Sequence, residues 1–159
     1  MAILLENHPC YRSAGSMKYD GSGGSFTPQT PPIPILNNCA ILPKDTGVTH
    51  EPVEILLDTG TEITLIKQEK LQQLEDRLQY PLPIQGRIYF DGVPQPSYSL
   101  QLAFPTGRPF STDYGFVALA ETDKVFDVGD VWLGQDILSQ LIVTFNGASG
   151  TVTIEDRRL

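Results

Sequence analysis

Short apolar segments separated by turn-forming residues occupy most of the chain after residue 32. Their regular spacing is typical of a β-sandwich or a closed β-barrel. The segments cover residues 33–36, 39–42, 53–57, 63–66, 84–90, 98–104, 115–120, 131–133, 141–145 and 151–154. The last two are joined by the turn-rich stretch 146–150 and predict a hairpin. The pattern as a whole predicts an all-β domain.

Only two stretches predict helix. Within residues 67–80, leucines recur at three- and four-residue steps among charged and amide side chains, which gives a surface helix one narrow buried stripe. The stripe consists of Leu71, Leu74 and Leu78, and Pro81 ends the helix. A second, short helix is predicted at residues 136–140, with Asp136 as its N-cap.

The first part of the chain has a different composition. Residues 9–34 are rich in Gly, Ser and Pro and offer few apolar side chains to bury. We expect a flexible arm over residues 1–31 and a folded domain over residues 32–159. Disorder is favoured over a binding role for this arm, since long connecting segments are usually one or the other.

The charge balance disfavours two classes of partner. With 11 Lys and Arg against 19 Asp and Glu, the formal net charge is −8. Nucleic acid or an anionic membrane surface would be repelled without a basic patch, and none is visible. The longest apolar run, residues 116–120, is far shorter than the roughly 20 residues of a membrane-spanning helix. The N-terminus also lacks the basic start and long apolar core of a signal peptide.

The two cysteines, Cys10 and Cys39, have no second cysteine or histidine at the spacing of a metal site. They do not form a disulfide framework either. Both are interpreted as free thiols in a reducing compartment, which predicts a cytoplasmic protein and no metal.

One segment carries a pattern with chemical meaning. In Leu57-Asp58-Thr59-Gly60-Thr61, an aspartate ends a strongly apolar strand and a second apolar strand follows at once. Burying an unpaired carboxylate is unfavourable by several kcal/mol or shifts its pKa, so proteins tend to keep such a group for function. For an isolated Asp-Thr-Gly, a turn residue that satisfies its own backbone is the commoner explanation.

The same tripeptide occurs at residues 45–47, in a polar stretch without apolar strands on both sides. This copy is interpreted as a hairpin turn. Asp58 differs from Asp45 in its neighbours, because the apolar residues before and after Asp58 would hold its loop rigidly on the core.

A second segment, Val-Trp-Leu-Gly-Gln-Asp-Ile-Leu at residues 131–138, adds to the first. In this order, the two segments resemble the active loop, and the later strand, tight turn and short helix, of retropepsin-like aspartic proteases. Leu133 and Gly134 match the turn after the strand. The resemblance extends over residues 32–156 and implies an acid-protease barrel, with one surface helix after the active loop and one short helix near the C-terminus.

In that family each chain supplies one catalytic aspartate, and a domain of this length is too short for the two-lobed form. The resemblance therefore implies a homodimer in which two copies of Asp58 share a proton around one water. One carboxylate would deprotonate the water and the other would protonate the scissile carbonyl oxygen. No cofactor is needed.

The resemblance also assigns roles to the residues after Asp58. Thr59 would reach across the dimer axis to the opposite loop, and Gly60 would let the backbones approach closely. The hydroxyl of Thr61, where many retroviral members have Ala, can donate to the outer carboxylate oxygen and favour its charged form. An activity profile shifted towards acid pH is the expected result.

An extended peptide substrate would be held like an added strand and covered by a flap hairpin. The best flap candidate is residues 85–94, in which Tyr89 and Phe90 would close over the site and Asp91-Gly92 would form the tip. An ordinary surface hairpin with core aromatics is the alternative, since this stretch lacks the glycine-rich tip of retroviral flaps.

The chain also continues beyond the short helix, where retroviral members end. Val152, Ile154 and residues 33–35 are candidates for the dimer interface, and equally for the intrachain core.

The leading functional hypothesis is an aspartic endopeptidase acting on extended polypeptide segments. A catalytically silent dimerisation or peptide-binding module on the same fold is the alternative, and a monomeric barrel that binds a ligand is a third.

Overall fold

The computed structural model describes residues 2–12, 19–21, 24–26, 33–44, 48–106, 108–120, 126 and 128–158. The strands are β1 (Ala2–Pro9), β2 (Tyr11–Arg12), β3 (Tyr19–Gly21), β4 (Gly24–Phe26), β5 (Ile33–Pro43), β6 (Glu51–Leu57), β7 (Leu65–Lys67), β8 (Gly86–Phe90), β9 (Val93–Tyr98), β10 (Leu100–Ala103), β11 (Pro109–Ser111), β12 (Phe116–Leu119), β13 (Val131–Leu133), β14 (Leu141–Asn146) and β15 (Thr151–Asp156). The helices are α1 (Gln68–Leu78) and α2 (Gln135–Leu138). The expected all-β class, with a helix after the Asp58 loop and a short helix near the C-terminus, is confirmed.

Most strands belong to one large sheet, in the order β11-β10-β5-β6-β13-β7-β12-β9-β8, with β2 added against β5. Strand β13 lies between β6 and β7, parallel to the first and antiparallel to the second. Because the Asp58 loop connects β6 to β7, it must arch over the end of β13. This topology brings two segments distant in sequence to one place.

Apolar side chains on β6 and β13 explain why these strands pair at the centre. Val53, Ile55 and Leu57 alternate with more exposed residues along β6 and are buried. In the parallel register, Val131 lies beside Ile55 and Leu133 beside Leu57. Each such side chain contributes about 1.5–3 kcal/mol when fully buried. The Asp58 loop is therefore attached to two paired strands whose inward side chains are buried.

Helix α1 is tied to the sheet by its leucine stripe and by one buried carboxylate. Leu71 and Leu74 are buried, as their spacing predicted. Glu51 of β6 forms ion pairs with Lys70 (Nζ to Oε1, 3.6 Å) and Arg77 (Nε to Oε2, 2.6 Å). Among the described helices, none is long and apolar enough to cross a membrane.

The two termini form a separate three-stranded sheet in the order β1-β15-β14. Strand β1 lies within the stretch for which we expected a flexible arm, and Leu4 and Leu5 are both buried. Register shifts within β1 let these consecutive leucines point into the core. Residues 1, 13–18, 22–23 and 27–31 of the expected arm, and the other Asp-Thr-Gly at 45–47, lie outside the described residues.

Three of the residues predicted for a dimer interface are part of the intrachain core instead. Val152 and Ile154 are buried on β15, which lies between β1 and β14. Ile35 is likewise buried, on β5. The alternative that these residues pack within one chain is confirmed for these three positions.

A buried carboxylate near the C-terminus fastens this small sheet to β11. Asp156, only 4% exposed, accepts hydrogen bonds from Nε of Arg158 (3.1 Å to Oδ1) and from Nη2 (3.1 Å to Oδ2). The same guanidinium donates to the carbonyl of Ser111 and lies 4.7 Å from the ring centroid of Phe110. Side-chain hydrogen bonds from Arg158 hold the pKa of Asp156 below its usual value, against the opposing effect of burial.

We expect Arg158→Met to lower the free energy of unfolding by about 1.5–3 kcal/mol at neutral pH, because hydrogen bonds to charged groups have that value. Because the folded-state pKa of Asp156 lies below the unfolded value of about 3.9, its interaction with Arg158 stabilises the fold above that pH. This contribution is lost as the pH falls through the folded-state pKa. Urea unfolding at about pH 7 and about pH 3 should therefore show the difference from wild type shrinking in acid. Arg157→Met, on an exposed neighbour, is the control; an equal deficit for Arg158→Met at both pH values would contradict the assignment.

Candidate active site

Asp58 begins the loop after β6, where the backbone is held by the neighbouring strand. Its N–H donates to the carbonyl of Leu133 at the end of β13 (3.0 Å), and its own carbonyl accepts from the N–H of Thr61 (3.3 Å). Asp58 is half-buried, between the core residue Leu57 and the exposed Thr59. The carboxylate therefore lies at the boundary between core and solvent on a fixed backbone.

Each oxygen of this carboxylate accepts a hydrogen bond from its own loop. The N–H of Gly60 donates to Oδ1 (3.0 Å), and the hydroxyl of Thr61 donates to Oδ2 (2.7 Å). The contact that the sequence predicted for Thr61 is present in the structure. A Cβ at position 60 would lie only 3.3 Å from Oδ1, so the carboxylate is enclosed closely by its own loop.

Gln135, at the start of α2, clamps the loop at two carbonyls. Its side-chain Nε2 donates to the carbonyl of Thr59 (2.6 Å), and its backbone N–H donates to the carbonyl of Thr61 (2.8 Å). Sequence reasoning did not single out this residue, because nothing in its local pattern points to a loop 76 positions earlier.

A second link joins Thr64 to Asp136. Thr64 is fully buried, and both its hydroxyl (2.7 Å to Oδ1) and its N–H (3.2 Å to Oδ2) donate to Asp136. The Thr64 hydroxyl in turn accepts from the N–H of Gly134 (3.0 Å). A hydroxyl in an otherwise apolar segment is the one sequence signal for this bridge.

The expected helix cap is wrong in one respect. Gly134 occupies the N-cap position of α2, no side chain caps the helix, and α2 covers Gln135–Leu138 rather than residues 136–140. Asp136 turns instead towards Thr64 because that buried hydroxyl and N–H offer two donors.

The predicted flap is a hairpin formed by β8 and β9, with Asp91 and Gly92 at its tip. Both tip residues have positive φ, 50° and 77°, as a tight two-residue hairpin turn requires. Tyr89 is 74% exposed, whereas Phe90 is half-buried. The two aromatic residues named as closing the site thus face opposite sides of the hairpin.

Phe90 belongs to a small apolar cluster that also reaches the Asp58 loop. The buried members of this cluster are Leu65, Val117, Leu119 and Phe126, and Ile63, Ile88, Phe90 and Trp132 pack against them. Trp132 donates from Nε1 to the carbonyl of Val128 (2.7 Å) and makes an edge contact with Phe126 at 5.6 Å. Because Ile63 belongs to the Asp58 loop, the hairpin and this loop pack against the same apolar cluster.

Within the described parts of the chain, no group of three His, Cys, Asp or Glu side chains is placed to hold a metal ion. The cysteines are free and buried, and burial raises the pKa of Cys39 to about 12.

Gly134 is the tightest point beneath the loop. A Cβ there would lie 2.5 Å from the carbonyl oxygen of Ile63 and 2.9 Å from that of Thr61. We expect Gly134→Ala to lower the free energy of unfolding by about 1–3 kcal/mol, the usual cost of overpacking, since backbone must move. Gly147→Ala is the matched control, because a Cβ at that position meets nothing within 4 Å. Chemical denaturation of both variants checks this, and equal stability would contradict it.

Solved structures that are similar to this chain include the following two proteins. One is a retropepsin-like aspartic protease from Rickettsia conorii, with 13% identity and a TM-score of 0.45, covering 76% of this chain and 86% of the other. The second is the retroviral protease-like domain of Ddi1 from Leishmania major, with 13% identity and a TM-score of 0.47, covering 76% and 88%. Comparisons with protein-family models and with curated proteins find no match.

Proposed function

We propose that this protein is an aspartic endopeptidase of the retropepsin type, which hydrolyses peptide bonds in extended polypeptide segments as a homodimer. The observation that carries this proposal is the Asp58 carboxylate. It lies at the end of a buried strand, with a donor on each oxygen and its N–H held by β13. A fixed and solvent-accessible carboxylate is what a general base for water requires.

The proposed reaction needs two such carboxylates. Two copies of Asp58 facing each other would share one proton, since like charges at about 3 Å cannot both ionise. The ionised carboxylate takes a proton from water, whose oxygen attacks the scissile carbonyl. The protonated carboxylate gives its proton to the carbonyl oxygen. Collapse of the tetrahedral intermediate breaks the C–N bond, and the amine leaves with a proton from the carboxylic acid of the dyad. A hydroxyl of the intermediate gives its proton to the other carboxylate, so the dyad again holds one proton.

The rest of the loop supports this assignment through position. Thr59 is exposed beside Asp58, where a neighbouring subunit could reach it, while Gln135 holds its carbonyl from behind. In the proposed dimer, Thr59 hydrogen-bonds the opposite loop. Leu133 and Gly134 lie beneath the Asp58 loop. The carbonyl of Leu133 accepts from the N–H of Asp58, and the missing side chain of Gly134 lets the loop backbone pass close to it.

The β8–β9 hairpin is the proposed cover for substrate. Its tip geometry and its exposed Tyr89 suit a segment that closes over an extended peptide, and Phe90 anchors it on the apolar cluster.

Two buried free thiols support a cytoplasmic location, because such thiols persist in reducing compartments.

Asp58→Asn should abolish cleavage of a denatured protein substrate between about pH 3 and pH 7, because an amide cannot serve as the base. Asp45→Asn, in the other Asp-Thr-Gly of the sequence, should cleave like wild type and is the matched control. Pepstatin should inhibit wild type. If wild type forms a dimer but never cleaves, the silent peptide-binding module replaces this proposal.

Thr61→Ala should lower the rate of peptide cleavage, since the hydroxyl at 2.7 Å from Oδ2 fixes the carboxylate within its loop. Without this donor, the carboxylate can turn away from the water that it has to deprotonate. Thr61→Ser keeps a hydroxyl and should restore the wild-type rate. A kcat/KM unchanged by Thr61→Ala would remove the assigned role.

A further inference from the structure

The turn between β14 and β15 contains the one Asn-Gly pair of the sequence, Asn146-Gly147. Both residues are exposed to solvent. The three other asparagines, which are exposed as well, are Asn7, Asn37 and Asn38. Each of these three is followed by a residue that carries a side chain, whereas Gly147 carries none. Asn146 therefore differs from the others in the access to the backbone nitrogen that follows it.

The nitrogen of Gly147 is open to a reaction partner. A Cβ at this position would meet nothing within 4 Å. Within the described part of the chain, no hydrogen bond is found for the N–H of Gly147, while the N–H groups of the next three residues all donate to Asn146. Once this nitrogen loses its proton to a base in the solvent, it is available as a nucleophile.

The same turn holds the side-chain carbonyl of Asn146. Its Oδ1 accepts hydrogen bonds from the N–H groups of Ala148 (3.1 Å) and Ser149 (3.2 Å). These bonds fold the amide over the residues that follow, towards the nitrogen of Gly147. When a nucleophile adds to this amide, negative charge develops on Oδ1, and two backbone donors that already point at the oxygen stabilise that charge. The turn thus supplies both the nucleophile and the donors for an attack on its own asparagine.

We propose that Asn146 is a site of spontaneous modification, at which the native turn converts the side-chain amide into aspartate and isoaspartate. The deprotonated nitrogen of Gly147 attacks Cγ of Asn146. The C–N bond of the side-chain amide breaks, and ammonia leaves with a proton taken from water. Water then adds to either carbonyl of the resulting cyclic imide and opens the ring. In sum, one amide and one water are consumed, and one carboxylic acid and one ammonia are formed.

Isoaspartate would change the hairpin, because its backbone passes through the former side chain and is longer by one carbon atom. Asn146 is the last residue of β14 and pairs with Thr151. Its carbonyl accepts from the N–H of Gly150 and so closes the turn. Conversion also adds a negative charge to a chain whose formal net charge is −8. We therefore expect the modified form to elute separately on anion exchange and to show faster hydrogen exchange around this turn.

Incubation of the native wild-type protein tests the proposal, with mass spectrometry of the tryptic peptide 125–157 as the measurement. This peptide contains Asn146 and no other asparagine. We expect conversion at about pH 8 to be faster than at about pH 6, because the deprotonated nitrogen attacks. Incubation in ¹⁸O-labelled water should place one label in the product, and an isoaspartyl methyltransferase should methylate the isoaspartate fraction. A sample digested at once gives the background from handling.

Gly147→Ala is the variant that tests the attacking group, because the added Cβ shields the nitrogen and meets nothing else within 4 Å. Its conversion should be at least about tenfold slower, while its circular dichroism stays that of wild type. Asn7, Asn37 and Asn38 of the same sample are internal controls and should keep their amides over the same time. Equal rates for Gly147→Ala and wild type would overturn the proposed attack.

Wild type unfolded in urea separates the effect of the turn from that of the dipeptide alone. We expect the native protein to convert at least as fast, because the two donors to Oδ1 are in place only in the folded turn. Slower conversion in the native protein than in urea would overturn the proposal, since the turn would then hinder the attack. Asp58→Asn should convert at the wild-type rate, so this inference is independent of the proposed protease activity.

Discussion

The fold depends on the insertion of β13 between β6 and β7. Because these two strands are joined by only the residues of the Asp58 loop, the loop has to cross directly over Leu133 and Gly134. Backbone contact there is so close that a Cβ at Gly134 would overlap a carbonyl of the loop. The position of the carboxylate is thus set by strand pairing in the core and not by the loop alone.

This arrangement explains how a carboxylate can persist at the end of an apolar strand. Each carboxylate oxygen accepts a hydrogen bond from the loop itself, one from Gly60 and one from Thr61, so the half-buried group is not left without donors. The backbone of the loop is held by other residues: Gln135 donates to the carbonyls of Thr59 and Thr61, and Asp136 accepts from Thr64. The carboxylate and the backbone of this loop therefore have separate hydrogen-bond partners.

The sequence predicted those elements that are determined by residues close to one another in the chain. Alternating apolar residues identified β6, the leucine stripe identified α1, and Asp91-Gly92 identified a hairpin tip. The predicted hairpin ended at residue 94, whereas β9 continues to Tyr98. Pro94 and Pro96 lie beyond the two residues of β9 that pair with β12, so their missing N–H groups are tolerated. The Thr64–Asp136 bridge joins positions 72 residues apart, and no spacing rule reaches that far.

The terminal sheet shows why local patterns also fail at β1. Consecutive buried leucines at positions 4 and 5 break the two-residue alternation of a strand, and only the register shifts against β15 make both burials possible. Because β1, β15 and β14 come from one chain, this sheet can form before any second copy binds. Under the proposed function, each domain then folds on its own, and the site with two copies of Asp58 is assembled by mass action from folded domains.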